Sequence, residues 1–190
     1  MRLLFLLVVR AAASDGVVLD LIVDSAHAAA RADLLTSQQF HDAIARECRL
    51  RSASRSAWSR RSLGKGATLQ AAFIHPRGRE TSERHEILVD KPGTLEFTVT
   101  AESPRVMFGN AFVVVVIVRL TECAGKPDAA APRCRLRVSS SVKWTRASTP
   151  PMLVRRAIER AAKGGVKDKW TRVASRLAKP PVTTKTGWLK

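Results

Sequence analysis

Cys134-Arg-Leu-Arg-Val-Ser-Ser-Ser-Val-Lys-Trp144 is followed, after Thr149-Pro-Pro, by Met152-Leu-Val-Arg-Arg-Ala-Ile-Glu-Arg-Ala-Ala-Lys-Gly-Gly-Val-Lys-Asp-Lys-Trp-Thr-Arg-Val-Ala-Ser-Arg-Leu177. In the first segment Cys134, Leu136, Val138, Ser140, Val142 and Trp144 share one parity, and Arg135, Arg137, Ser139, Ser141 and Lys143 share the other. Side chains alternate faces along a strand, so this is a strand with one apolar and one cationic face. That pattern belongs to an antiparallel sheet with one side on a core. The period then changes. Leu153, Ala157, Ile158, Ala161, Ala162, Val166, Trp170, Val173 and Leu177 recur at steps of three and four, the stripe of a helix of about 25 residues. Arg155, Arg156, Arg160, Lys163, Lys167, Lys169, Arg172 and Arg176 are expected on its wet face. Thr149 is the expected cap and Pro150 the first helical residue. Gly164-Gly165 implies a bend or a close approach, and Pro180-Pro181 ends the element.

Upstream, Val17, Leu19, Leu21 and Val23 alternate as a first strand. Asp24 or Ser25 is the expected cap of a short helix through His27, Ala30 and Leu34. Thr36 with Gln39 fits a capping box opening a second helix through Phe40, Ile44 and Cys48. Residues 49–61, rich in Arg and Ser and holding Trp58, read as a strand edge or a loop. Leu69, Ala71 and Phe73 alternate; His75-Pro-Arg-Gly78 is a turn; a strand is expected at 86–89; Lys91-Pro-Gly93 is another turn; Leu95, Phe97 and Val99 alternate. Phe112-Val-Val-Val-Val-Ile-Val118 is an uninterrupted apolar, β-branched run, read as a central strand buried on both faces or wrapped closely by the rest. A strand, two short helices, five or six more strands and one long helix give an α+β chain. A meandering sheet curled around the final helix buries both apolar surfaces. The small residues of the helix (Ala157, Ala161, Ala162, Gly164, Gly165) leave room for an apolar cavity.

The 190 residues suffice for one domain, expected over 17–178, with an apolar segment at 1–16 and a basic tail at 179–190. The first residues resemble a signal sequence interrupted by Arg10, the start of a truncated chain, or a short helix ahead of the domain. Lys plus Arg number 33 against 16 Asp plus Glu, a net charge of +17. Such a charge suits an anionic partner, nucleic acid, lipid or acidic protein, or reflects a composition bias with no partner meaning. Three Cys make no disulfide framework. No metal, nucleophile or phosphate-loop motif is present, so no catalytic or metal-ligating residue is assigned, no cofactor is expected and the chain reads as non-enzymatic. His27, His41, His75 and His85 are expected to be solvated or locally hydrogen-bonded.

Cys134-Arg-Leu-Arg-Val-Ser with Val142-Lys-Trp144, Leu153-Val-Arg-Arg-Ala-Ile-Glu-Arg160 and Gly165-Val-Lys-Asp-Lys-Trp170 resemble the closing strand and helix of the VASt domain. This is the StAR-related lipid-transfer-like domain of the Aster and Lam sterol transporters and their plant relatives. Residues 94–100 with Ser103-Pro-Arg-Val-Met-Phe-Gly109-Asn-Ala-Phe112 are similar to its strand, turn and entry to the next strand. Residues 34–40 and Trp58 are similar to its helical opening. The resemblance spans about 17–178.

It implies a helix-grip (StART-like) fold: a curved antiparallel sheet around a C-terminal helix, with a hydrophobic pocket that binds a sterol or other lipid and transfers it between membranes. Candidate lining residues are Phe97, Phe112, Val114 and Val116, together with Val138, Val142 and Trp170; core packing is the other reading of each. The 63–66 turn is a candidate lid. Arg135, Arg137, Lys143, Arg155 and Arg156 are candidates for docking on anionic headgroups. The implied location is cytoplasmic, peripheral to membranes at endoplasmic reticulum contact sites, with secretion as an alternative. The GRAM domain and membrane anchor that accompany this domain are not seen in these residues, so a stand-alone module or a fragment is expected. The competing readings are a basic nucleic-acid-binding module and a ligand-free interaction domain. Aromatic residues are only 5% and there is no Tyr, which weighs against nucleic acid.

Overall fold

The computed structural model describes residues 16–60, 63–123, 132–145 and 150–178. Seven strands form one antiparallel sheet: β1 (Val17–Val23), β2 (Arg51–Arg55), β3 (Thr68–Ile74), β4 (Glu80–Lys91), β5 (Thr94–Glu102), β6 (Phe112–Glu122) and β7 (Cys134–Trp144). The order across the sheet is β1-β7-β6-β5-β4-β3-β2. The first strand therefore pairs with the last, and the sheet curls. Helices α1 (His27–Leu35) and α2 (Gln38–Glu47) join β1 to β2, and α3 (Met152–Leu177) lies on the concave face. This is the helix-grip architecture expected from the alternating strands and the terminal amphipathic helix.

Register explains the core. Ile87, Phe97, Val118, Val138 and Leu19 stand side by side on five successive strands. Each is less than a tenth exposed. Leu95, Leu120 and Leu136 form the next row and are sealed. Trp170, Val173, Ala174 and Leu177 of α3 press onto this region. The uninterrupted run in β6 is not covered on both faces. Val116, Val118 and Leu120 are buried, whereas Val113, Val115 and Ile117 are half-buried on the outer face. Thr98 and Thr100 flank that outer stripe on one side and Ser139 and Ser141 on the other.

Some boundaries differ from expectation. β4 starts at Glu80, six residues before the apolar run that announced it. α1 has Ala26 at its N-cap and no side-chain cap. Ser37, not Thr36, caps α2, accepting from the Phe40 amide at 3.2 Å, while Thr36 donates to the Ala32 carbonyl at 2.9 Å. α3 begins at Met152 with Pro151 at the cap position; Thr149 lies outside the described residues, as do 1–15 and the 179–190 tail. The helix runs unbroken through Gly164-Gly165, and no atom lies within 4 Å of where a Cβ would stand at either. The pair therefore marks open space, not a close approach.

Candidate functional site

The helix buries side chains against the sheet at only one end, while its first half is tied to β7 by polar contacts, Trp144 Nε1 donating to Glu159 Oε1 at 3.0 Å. From Met152 to Lys169 no residue of α3 is buried; burial begins at Trp170. Between the looser half and the sheet lies a cleft of about 740 Å³, inside the range of roughly 300–1,000 Å³ usual for small-ligand sites. Its helical wall is Ala161, Ala162, Gly165 and Val166; its floor includes Phe73, Ala101 and Val114. Small residues on both sides create the space. Glu83 sits in the sheet row Ala71, Glu83, Ala101, Val114 and Val142. The cleft is not uniformly apolar: Arg49, Arg79 and Arg172 stand at its edge.

A second chamber, about 120 Å³, lies deeper, between α2, the β2–β3 edge and the sheet. Leu50, Phe73, Glu83 and Lys169 border both spaces and so form their common wall. Lys169 Nζ donates to Glu83 Oε1 at 2.6 Å, and His85 Nε2 lies 3.2 Å from Oε2. Burial pushes the Glu83 carboxyl up, but the Lys169 ammonium and the bond with His85 outweigh it and hold the group well below the usual range. The His85 ring stacks on Phe97 with centroids 6.3 Å apart, and Phe97 meets Trp170 at 6.1 Å.

Two further groups face this chamber. His41 Nε2 is buried and has no hydrogen-bond partner. Burial first, then the Arg55 and His85 charges, push the imidazole down to about 3. Arg55 is half-buried; its Nη2 donates to the Leu35 carbonyl at 3.0 Å, which also accepts from Trp58 Nε1 at 2.7 Å. Burial lowers its guanidinium to about 10. Arg55 has no carboxylate partner among the described residues.

The sequence-based lining residues separate into groups. Val114 borders the cleft, and Phe97 and Trp170 border the inner chamber. Val116 and Val138 lie in the packed rows. Phe112 and Val142 are half-buried at the far end of the same face, Phe112 against Trp144 at 5.4 Å. The 63–66 turn borders neither space; the Gly66 amide is held by the Ile87 carbonyl at 2.7 Å. The five docking candidates do not share one surface. Arg135, Arg137 and Lys143 point out of the convex face, and Arg135 is engaged by Asp20 through bonds of 2.7 and 2.8 Å. Arg155 and Arg156 are on the helix side, with Arg155 over the Trp144 ring at 5.1 Å.

Sequence reading missed Glu83, His41 and Arg55, and placed Lys169 on the wet face. His27 and the Nε2 of His41 are interior, unlike the expectation, whereas His85 makes a local bond to Glu83, two residues away, and His75 is exposed, as expected. A signal existed. Glu83 and His85 share the parity of Ile87, and Lys169 stands three residues after Val166 and four before Val173, at the border of the apolar stripe. No group of three His, Cys, Asp or Glu that could hold a metal occurs among the described residues. No described helix is long and apolar enough to cross a membrane.

A curved antiparallel sheet closed by one terminal helix over a cleft defines a helix-grip domain. The family model described as VAD1 Analog of StAR-related lipid transfer domain, VASt, matches residues 16–165, and the chain belongs to that family. No curated protein matches the chain. Among solved structures it is similar to the hypothetical protein jhp0584 of Helicobacter pylori, with a TM-score of 0.50 and 10% identity over 84% of this chain and 83% of that one. A protein of Arthrobacter aurescens (TM-score 0.49, 10% identity, 90% of each chain) and protein Ms6760 of Mycobacterium smegmatis (0.49, 12%, 84% and 85%) are also similar.

Proposed function

We propose that this chain binds one lipid in the cleft between α3 and the sheet and transfers it between membranes without a covalent step. The unit concerned is 17–178, and a sterol is the first cargo to test. The cleft of about 740 Å³ beside Gly165, where no atom opposes an added Cβ, is the observation that carries this reading. Burial of apolar ligand surface supplies the affinity, at roughly 25 cal/mol per Å². The described end of the fold next to the cleft also suits contact with a membrane. Met152 and Leu153 are 66% and 78% exposed at the start of α3, beside Arg155 and Arg156, and Met107 is 80% exposed in the β5–β6 connection at the same end of the sheet. Exposed apolar side chains beside cations match the acyl boundary and an anionic headgroup layer. The convex-face cations Arg135, Arg137 and Lys143 are then second-line contacts.

The test is transfer of the fluorescent sterol dehydroergosterol between donor and acceptor liposomes, with and without phosphatidylserine. The expected result is transfer that Gly165→Trp abolishes and Gly164→Trp retains, since only Gly165 borders the cleft. Transfer unaffected by Gly165→Trp would count against the cleft as the binding place. Absence of both binding and transfer for any lipid would sink the reading.

A further inference from the structure

We infer that the inner chamber is a head-group pocket for an anion, so that the cargo is an amphipath ending in a carboxylate, with Arg55 as its counterion. The inference rests on the lipid-binding reading above and narrows its ligand class.

Three observations meet here. Arg55 has a half-buried guanidinium that borders the chamber and has no carboxylate partner among the described residues. Of the two carboxylates that border the chamber, Glu83 has both oxygens taken, one by Lys169 and one by His85, and Asp42 accepts from Gln38 Nε2 at 2.8 Å. His41 places a buried, unpartnered Nε2 at the same chamber. Orphaned polar atoms in a folded interior call for a partner, and a cation removed from water calls for an anion.

The geometry favours a carboxylate. Guanidinium presents five N–H donors in a planar fork; Arg55 spends Nη2 on the Leu35 carbonyl and lays its face over Trp58, with Cζ 5.9 Å from the ring centre, which leaves other N–H donors free. The free edge matches two carboxylate oxygens side by side. A neutral His41 ring adds a contact to a carboxylate only in the tautomer that carries its hydrogen on Nε2. A neutral sterol hydroxyl would satisfy one donor and leave the charge of Arg55 unmatched. The shared wall of Leu50, Phe73, Glu83 and Lys169 places this pocket next to the cleft. An acid whose apolar tail lies along Ala161, Gly165 and Val114 can then lodge its head beside Arg55 by rotation of the half-buried Phe73.

The experiment compares cis-parinaric acid with its methyl ester on the full chain by fluorescence titration. Dodecanoate and dodecyl phosphate serve as competitors, and dehydroergosterol as the neutral sterol. The acid is expected to bind at least tenfold more tightly than the ester. Arg55→Gln should bring the acid down to the ester's affinity, and Arg55→Lys, which keeps the charge and guards against misfolding, should restore most of the preference. Equal binding of acid and ester, or a preference that survives Arg55→Gln, overturns the inference. Tighter competition by dodecyl phosphate than by dodecanoate overturns the carboxylate assignment. If ester and sterol bind and the acid has no advantage, the cleft keeps its role and only this inference falls. If acid, ester and sterol all fail to bind, both fall together.

Discussion

Lys169 Nζ on α3 stands 2.6 Å from Oε1 of Glu83 on β4, and this bond ties the helix to the sheet at the boundary between the two internal spaces. Glu83 is 7% exposed, so its charge has little water to fall back on. Removing one partner of such a pair leaves an uncompensated charge.

Lys169→Met is expected to destabilise the fold by about 3 kcal/mol, the lower end for a buried pair, because the Lys169 side chain keeps some access to water. Adding Glu83→Gln should recover part of that loss. Urea titration of the two variants reads the difference. A single variant as stable as the parent would show the bond to be incidental.

Acid should weaken the fold in two stages. His41 is lowered from its ordinary 6.5 to about 3 by burial and by the charges of Arg55, His85 and Lys169 facing it, with the Leu34 carbonyl acting the other way. A lowered folded value means the unfolded chain binds the proton first, so this contribution is complete above 6.5 and falls as pH drops from 6.5 to about 3. The slope is at most about 1.4 kcal/mol per pH unit. Glu83, also lowered, adds its loss only below its ordinary value of 4.5. His41→Phe should flatten the upper stage alone. Urea midpoints across pH 7 to 4 that are identical in parent and variant would contradict the buried imidazole.

Gly109→Ala should be costlier than its single methyl implies. An added Cβ would stand 2.0 Å from the Ser103 carbonyl oxygen and 3.0 Å from its carbon. The expected loss is about 2 kcal/mol, in the range of overpacking. Gly164→Ala, with nothing within 4 Å, should instead stabilise by up to about 1 kcal/mol through helix propensity. Thermal melts of the pair give the contrast directly.

The two halves of α3 should respond differently to truncation. Leu177→Ala, at 3% exposure, is expected to cost about 3 kcal/mol. Leu153→Ala, at 78% exposure, should cost under about 0.5 kcal/mol, as surface changes do. Leu153→Ala should nevertheless weaken vesicle binding if that end meets membranes. Equal stability losses would mean that the helix is gripped along its whole length.

The strands and the long helix were legible because their inward residues are apolar at the right period. Leu95, Phe97, Val99 and the Cys134–Trp144 alternation are cases in point, and the closing strand and helix carried the family resemblance. β4 was legible only from residue 86, because its earlier inward positions are Thr81, Glu83 and His85, polar groups that hide the alternation. The inner chamber was invisible for the same reason. Its contributors Arg55, His41 and Lys169 are residues that composition assigns to solvent, and only the register of distant strands brings them inside. The α2 cap shifted by one residue because Thr36 and Ser37 are chemically equivalent candidates, and the choice falls to backbone geometry.

One helix divides its labour by turn. The last turns of α3, Trp170 through Leu177, hold the domain together, while the turns before them roof an open space and carry few obligations to the core. Inheritance can therefore alter the roof freely, changing what the domain admits, while the carboxy-terminal turns stay under the discipline of folding. Relatives should accordingly diverge fastest in the stretch of helix that precedes Trp170.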